Sequence, residues 1–150
     1  MTDSIRQQII SSVDTRFKTI LTTNGYQTDI GANVFDWRAE ALEDSNLPAL
    51  IYRDIQCSTE ISNISSYTHK MTVEAIAVVA NDTPVAIIRQ IIADIDEAIG
   101  VDDRWGNLAV LTERISDESG IEIDDKKYAG CRITMVITFR TLGWNDYVQI

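Results

Sequence analysis

The side chains of this chain that could do chemistry are few and widely spaced. Its 150 residues hold one histidine, His69, and two cysteines, Cys57 and Cys131. A cysteine nucleophile needs a base within hydrogen-bond reach, most often a histidine. Cys57 and His69 would meet if their segments formed a hairpin, so a Cys–His hydrolase is one open reading. Against it, His69 follows a polar stretch and reads as a solvated loop histidine, and no serine or cysteine sits in a G-x-S-x-G turn. Metal chemistry has less to work with. There is no C-x-x-C, H-E-x-x-H or EF-hand loop, and Asp94, Asp96 and Glu97 do not share one helical face. Asp102-Asp103 and Asp124-Asp125 read as solvated turn acids. Gly100, Gly106 and Gly120 are isolated, so no glycine-rich loop cradles a phosphate. No cofactor and no metal is expected. Trp37, Trp105 and Trp144 lie in three separate segments and read as core or rim residues.

Composition narrows the partners. Twenty-three acidic residues against 13 basic ones give a formal net charge of −10. A nucleic-acid surface needs clustered Lys and Arg to neutralise phosphates, and the only basic neighbours, Lys126 and Lys127, follow Asp124 and Asp125. No apolar run approaches the ~20 residues of a membrane span, and the polar start MTDSIRQQ does not read as a signal peptide. Two cysteines make no disulfide framework. Free thiols in a reducing compartment are the simpler reading, with one bridge left open if the strands that carry them are neighbours. With 45% hydrophobic and 24% charged residues, residues 1–150 read as one globular domain.

The stretch that must organise the rest is Thr83 to Gly100. Thr83 reads as an N-cap, Pro84 suits the first helical position, and Gly100 can close a helix in the left-handed conformation. Val85, Ile88, Ile91, Ile92, Ile95 and Ile99 recur at helical spacing, with Arg89, Asp94, Asp96 and Glu97 on the other side. So wide a stripe asks for a sheet beneath it. A first helix is expected over Ser4 to Thr22, burying Ile5, Ile9, Val13, Phe17 and Ile20 or Leu21, capped by Asp3 or Thr2 and stopped at Asn24-Gly25.

The remaining segments supply strands. Tyr26–Ile30 and Val34–Trp37 read as extended, Ala39–Leu47 as a polar connection, and Ala49–Cys57 as a strand entered through Pro48. Ser58–Thr68 is rich in Ser, Thr and Asn and reads as a long hairpin loop or flexible arm. Met71–Ala80 reads as a strand with both faces largely covered. Leu108–Ile115 fits a strand or one or two helical turns about equally, and Asp117–Lys127 is hairpin-like. Tyr128–Leu142 is the longest strand, with Ala129, Cys131, Ile133, Met135, Ile137 and Phe139 alternating toward the core and an ability to sit at a sheet edge. Gly143–Ile150 reads as a tail carrying two aromatics. The fold class that follows is α+β: two helices packed on one face of a mostly antiparallel β-sheet.

Three pieces of this layout carry a resemblance. They are the GY-x-T-x-IG-x-x-V run (Gly25, Tyr26, Thr28, Ile30, Gly31, Val34), the LPA lead-in (Leu47, Pro48, Ala49) and the closing Phe139-Arg140-Thr141. With the element order around them, nearly the whole chain resembles the tail terminator proteins of long-tailed bacteriophages, the lambda-like minor tail and prophage families. The resemblance implies a two-helix α+β fold, no enzymatic activity and no cofactor. It also implies a hexameric ring that caps the tail tube, stops its polymerisation and offers the surface that joins the head. The implied partners are copies of the chain itself, the tail tube protein and the head–tail connector or neck proteins, in a virion assembled in the host cytoplasm. Another non-enzymatic neck component, such as a head–tail joining or tail completion protein, is the alternative. A closed ring needs one patch to meet a different patch on its neighbour. The residues expected to carry it are Ser58, Glu60, Asn63, Ser66, Tyr67 and His69 of the arm, and Trp144 and Tyr147 of the tail.

Overall fold

Apolar residues at helical spacing in two segments, and at alternating spacing in the others, leave one face of a sheet to be covered by helices. A computed structural model describes residues 2–38, 40–80, 83–123 and 127–150. In chain order it contains α1 (Ile5–Lys18), β1 (Val34–Asp36), β2 (Ala49–Asn63), β3 (Ser66–Ala80), α2 (Pro84–Gly100), β4 (Leu111–Ile123), β5 (Lys127–Leu142) and β6 (Asn145–Gln149). The strands lie in the order β1-β2-β3-β5-β4, with β6 against the far end of β5. Only β1 and β2 run parallel; the other pairs are antiparallel. The class is α+β, as expected.

The helices form as their spacing demands, with different ends. Ser4 rather than Asp3 or Thr2 caps α1, its Oγ accepting the Gln7 N–H at 3.1 Å. It directly precedes the first helical residue, the position from which a short hydroxyl reaches a free N–H of the first turn. α2 starts at Pro84 and runs through Gly100, which does not turn left-handed. The closing group is instead Arg16 of α1, whose Nη1 donates to the carbonyls of Ala98 at 2.9 Å and Asp102 at 3.3 Å. Its guanidinium also lies 4.9 Å from the ring of the buried Trp105. A cation aimed at the free carbonyls of a helix end does what the glycine was expected to do.

Ile88, Ile91, Ile95 and Ile99 are buried as the stripe required, and Ile92 is partly buried against the core. Two members of the helix are reversed. Val85 is exposed, and Asp94 is buried at 1% exposure. The expected strand at Tyr26–Ile30 is absent for a related reason: its backbone is bound to Asp94 rather than to a sheet neighbour. Gly31 then packs so closely on the end of α1 that an added Cβ would run into the Phe17 carbonyl and sit 2.8 Å from that of Ile20. The GY-x-T-x-IG run is thus a clamp between the two helices.

In the sheet, β3 alternates between buried and half-buried residues, so one of its faces is core and the other is open, not covered as expected. β5 is an interior strand between β3 and β4 rather than an edge, and β4 joins into one strand over Leu111–Ile123 the strand alternative for Leu108–Ile115 and the short strand within the hairpin-like Asp117–Lys127. Asp124 and Asp125, read as turn acids, and Lys126 lie outside the described residues. Cys57 and Cys131 are free, on strands separated by β3.

Candidate functional site

Ser58–Thr68 is neither a loop nor a flexible arm. β2 and β3 pair out to Asn63 and Ser66, with an irregularity between Ile61 and Asn63, leaving Ile64 and Ser65 as a two-residue turn. Alternating Ser, Thr and apolar residues suit a two-stranded ribbon as well as a loop; the hydroxyls were mistaken for turn signals because Thr and Ser also line strands. Asn63 fixes the turn, its Oδ1 accepting the N–H of Ser65 at 2.9 Å and its hydroxyl at 3.0 Å. At the apex Ile64 is 103% exposed, and Ile61 beside it is exposed too.

The expected interface residues divide between the faces of this ribbon. Ser58 and Glu60 pair with Lys70 and Thr68 and are exposed, whereas Ser66, opposite Leu142, is buried. Tyr67 and His69 lie on the side that continues the core face, in line with Met71 and Val73. Tyr67 makes edge contacts to Trp144 at 5.7 Å and to His69 at 6.3 Å. Trp144 is 92% exposed, in the left-handed conformation of the turn between β5 and β6. The expected tail is therefore a strand, and Tyr147 is an exposed residue of it.

His69 departs furthest from expectation. It is 7% exposed, not solvated. Its Nδ1 shares a hydrogen bond of 2.8 Å with the Thr59 hydroxyl, and its Nε2 one of 2.8 Å with the Thr141 hydroxyl. The ring stacks on Phe139 at 4.8 Å, and Asp146 of β6 approaches Nε2 to 3.8 Å. A neutral imidazole offers one donor and one acceptor, and each hydroxyl can take either part, so the ring is fully satisfied without charge. Burial lowers the His69 pKa, with Arg6 acting in the same direction and Asp146 opposing both. The ring joins β2, β3, β5 and β6 at one point.

This arrangement does not assemble the Cys–His pair. Cys57 faces Met71 and His69 faces Thr59, so the two are neighbours on one face, but both ring nitrogens are engaged by threonines. Burial raises the Cys57 thiol pKa, opposite to what activates a nucleophile. Burial likewise pushes Cys131 up to about 11. Among the described residues no three His, Cys, Asp or Glu side chains group to hold a metal ion. Asp102 is a turn acid as read, its carboxylate held below the usual range by the backbone N–H groups of Gly106 and Arg104.

Asp94 was missed as a functional position of a different kind. Its carboxylate accepts the N–H groups of Gln27 at 3.2 Å and Thr28 at 2.8 Å, and the Thr28 hydroxyl at 2.7 Å. A signal was present. Asp94 stands three residues after Ile91 and four before Ala98, both buried, so helical geometry points it inward.

At the opposite end of the sheet a groove of about 420 Å³ runs between α2 and β4, lined by Val85, Ile88, Arg89, Ser119, Gly120 and Ile121. Val85 and Ile121 are 42% and 50% exposed across it. Both sides of the sheet are interrupted. β2 bulges at Ile55, beyond its pairing with β1 at Leu50–Tyr52, and the outer strand β4 bulges at Ile115, and both isoleucines are exposed. Charges surround each bulge, Asp54 on β2 and Glu113, Arg114 and Asp117 on β4. Bulges and charges of this kind discourage another strand from adding to an edge. Among the described residues no helix is long and apolar enough to cross a membrane.

Compared with protein-family models and with curated proteins, the sequence matches none.

Proposed function

We propose that this chain is a structural part of a long-tailed phage virion: a tail terminator whose copies close into a ring on the end of the tail tube. The ring would stop tube growth and present the surface that joins the head. Six copies is the number implied by the resemblance. The two-helix α+β layout is the one that resemblance implies, which supports the reading without carrying it.

The observation that carries it is the placement of exposed apolar side chains. Exposed apolar residues also occur elsewhere, as at Trp37, Ile55, Val101 and Ile115, but five of them form two unlike patches at opposite ends of one sheet: Ile61, Ile64 and Trp144 at the ribbon end, Val85 and Ile121 at the groove. A monomer gains nothing from leaving such groups in water. Two different patches on one chain make a heterologous contact, which closes into a ring when the rotation between neighbours allows it. The charge of −10 suits docking on a basic surface of the tube or neck, where charge complementarity sets register and partner choice.

The test is native mass spectrometry with negative-stain imaging, on the purified protein and after mixing with tail tubes. Closed rings of about six copies, found free or at tube ends, are the expected result. A chain that stays monomeric and leaves tube length unchanged would end this reading.

A further inference from the structure

Resting on that ring, the next question is which surface meets which. The groove and the ribbon tip lie too far apart to satisfy each other within one chain. The groove borders Ile121, whose partner row through Ala129 ends at Val79 of β3, while the tip lies at Ser66 of the same strand. The strand between them spans about 40 Å at ~3.3 Å per residue. Any contact between them is therefore made by two copies, and it is heterologous by construction.

We infer that the ribbon tip of one copy, with Ile64 at its apex and Ile61 beside it, seats in the α2–β4 groove of the next. Three features fit the two surfaces to each other. The first is shape and polarity: the tip is a narrow knob of exposed isoleucines, and the groove is a cleft walled by Val85, Ile88 and Ile121 over a floor of Ser119 and Gly120. Gly120 has nothing within 4 Å of where a Cβ would sit, so space remains above it. The second is charge. Arg89 on the groove wall and Glu60 near the tip are both exposed, and among the described residues neither has an ion-pair partner. The third is preorganisation. The turn is already held by Asn63, so docking orders few new bonds and loses little entropy. The bulged edges leave this knob-in-groove contact as the open route, in place of strand addition.

Four variants test it on the full chain. Ile64 is wholly exposed, so Ile64→Glu leaves the single copy folded, as circular dichroism will check. It is expected to weaken self-association about thirtyfold or more, the scale of a central interface contact. Arg89→Glu is expected to weaken it less, and Arg89→Glu with Glu60→Arg to restore it. A chain carrying Ile64→Cys and Ile121→Cys is expected, under mild oxidation, to give a ladder of cross-linked species that neither single variant gives, because in each of those the new thiol faces an isoleucine. An assembly that persists with no ladder and no response to Ile64→Glu overturns this contact and leaves the ring standing. If Ile64→Glu spares self-association but abolishes binding to tail tubes, the tip serves the tube and the inference is likewise overturned. A wild-type chain that associates neither in solution nor at tube ends overturns both the contact and the ring.

Discussion

The two ends of the sheet are built from the same three strands, β2, β3 and β5, yet they are finished differently. At one end the inward residues, among them Val73, Ala77, Ile133 and Met135, lie under α1 and α2 and are fully buried. At the other end the same inward row continues through His69, Phe139 and Thr141, which are buried as well. There a histidine held by two hydroxyls, and the short strand β6 packed against α1, close the row, and beyond them Ile61 and Ile64 of the ribbon tip are exposed. Inward alternation along β3 and β5 continues from one end to the other; what changes is what lies over it. The helix-covered end makes the fold stable, and the ribbon end carries exposed isoleucine and tryptophan outward.

That contrast is sharpest at the lid. Ile95 is fully buried between α2 and the sheet. Ile95→Ala is expected to cost about 3–5 kcal/mol of stability, from lost burial and the cavity left behind. Urea unfolding followed by circular dichroism would measure it. A loss under about 1 kcal/mol would mean that α2 is not what stabilises the sheet.

Next in size comes the clamp beside the lid. Asp94→Ala strips partners from two backbone N–H groups and one hydroxyl, at an expected cost of about 2–4 kcal/mol. Asp96 sits two residues away on the same helix, in an exposed pair with Arg114 at 3.0 Å. Asp96→Ala is expected to cost under about 1 kcal/mol, because water screens such a pair. Equal losses at both positions would remove the distinction between the clamp and an ordinary surface acid.

Asp94 also marks the boundary of what sequence alone reveals. The α2 stripe, the α1 face and the inward row of β5 announced themselves, because burial at period 3.6 or 2 leaves a pattern along the chain. Asp94 does stand at an inward helical position, but it and His69 are polar, a kind of side chain conventionally assigned to solvent, and what holds each of them lies distant in sequence. Asp94 answers to Thr28, and His69 to Thr59 and Thr141. The ribbon was read as a loop because its hydroxyls suit both states, and only pairing across Ile64-Ser65 decides between them. Gly100 illustrates the same limit: the glycine was visible, but Arg16, which closes α2, lies in another helix.

The ribbon end is expected to answer to pH through His69. Burial holds the His69 pKa below its ordinary value of 6.5, so below that value the unfolded chain binds a proton that the folded chain refuses. The contribution of a neutral His69 is therefore complete above about pH 6.5, declines as pH falls toward the lowered native pKa, and levels off beneath it. One group changes stability by at most ~1.4 kcal/mol per pH unit. Asp146 and Arg6 are the charged groups that act on the ring, and Asp146 opposes the shift. Urea midpoints between pH 7 and 5 for the wild type and for His69→Gln should diverge, the wild type losing more. Parallel curves would show that the ring is not what couples this end to protons.

The smallest expected effect is the most telling for the contrast. Ile64 at the ribbon apex is as large and apolar as Ile95, but it is 103% exposed where Ile95 is fully buried. Because a side chain already in water loses no burial when trimmed, Ile64→Ala is expected to leave the unfolding free energy within about 0.5 kcal/mol of wild type. The proper measurement is urea unfolding at protein concentrations too low for self-association, since binding a neighbour would add apparent stability that rises with concentration. Repeated at high concentration, the same comparison should show the wild type gaining stability and Ile64→Ala gaining less. A loss above about 1 kcal/mol in the dilute chain would place the tip inside the folding unit and leave no free knob to dock.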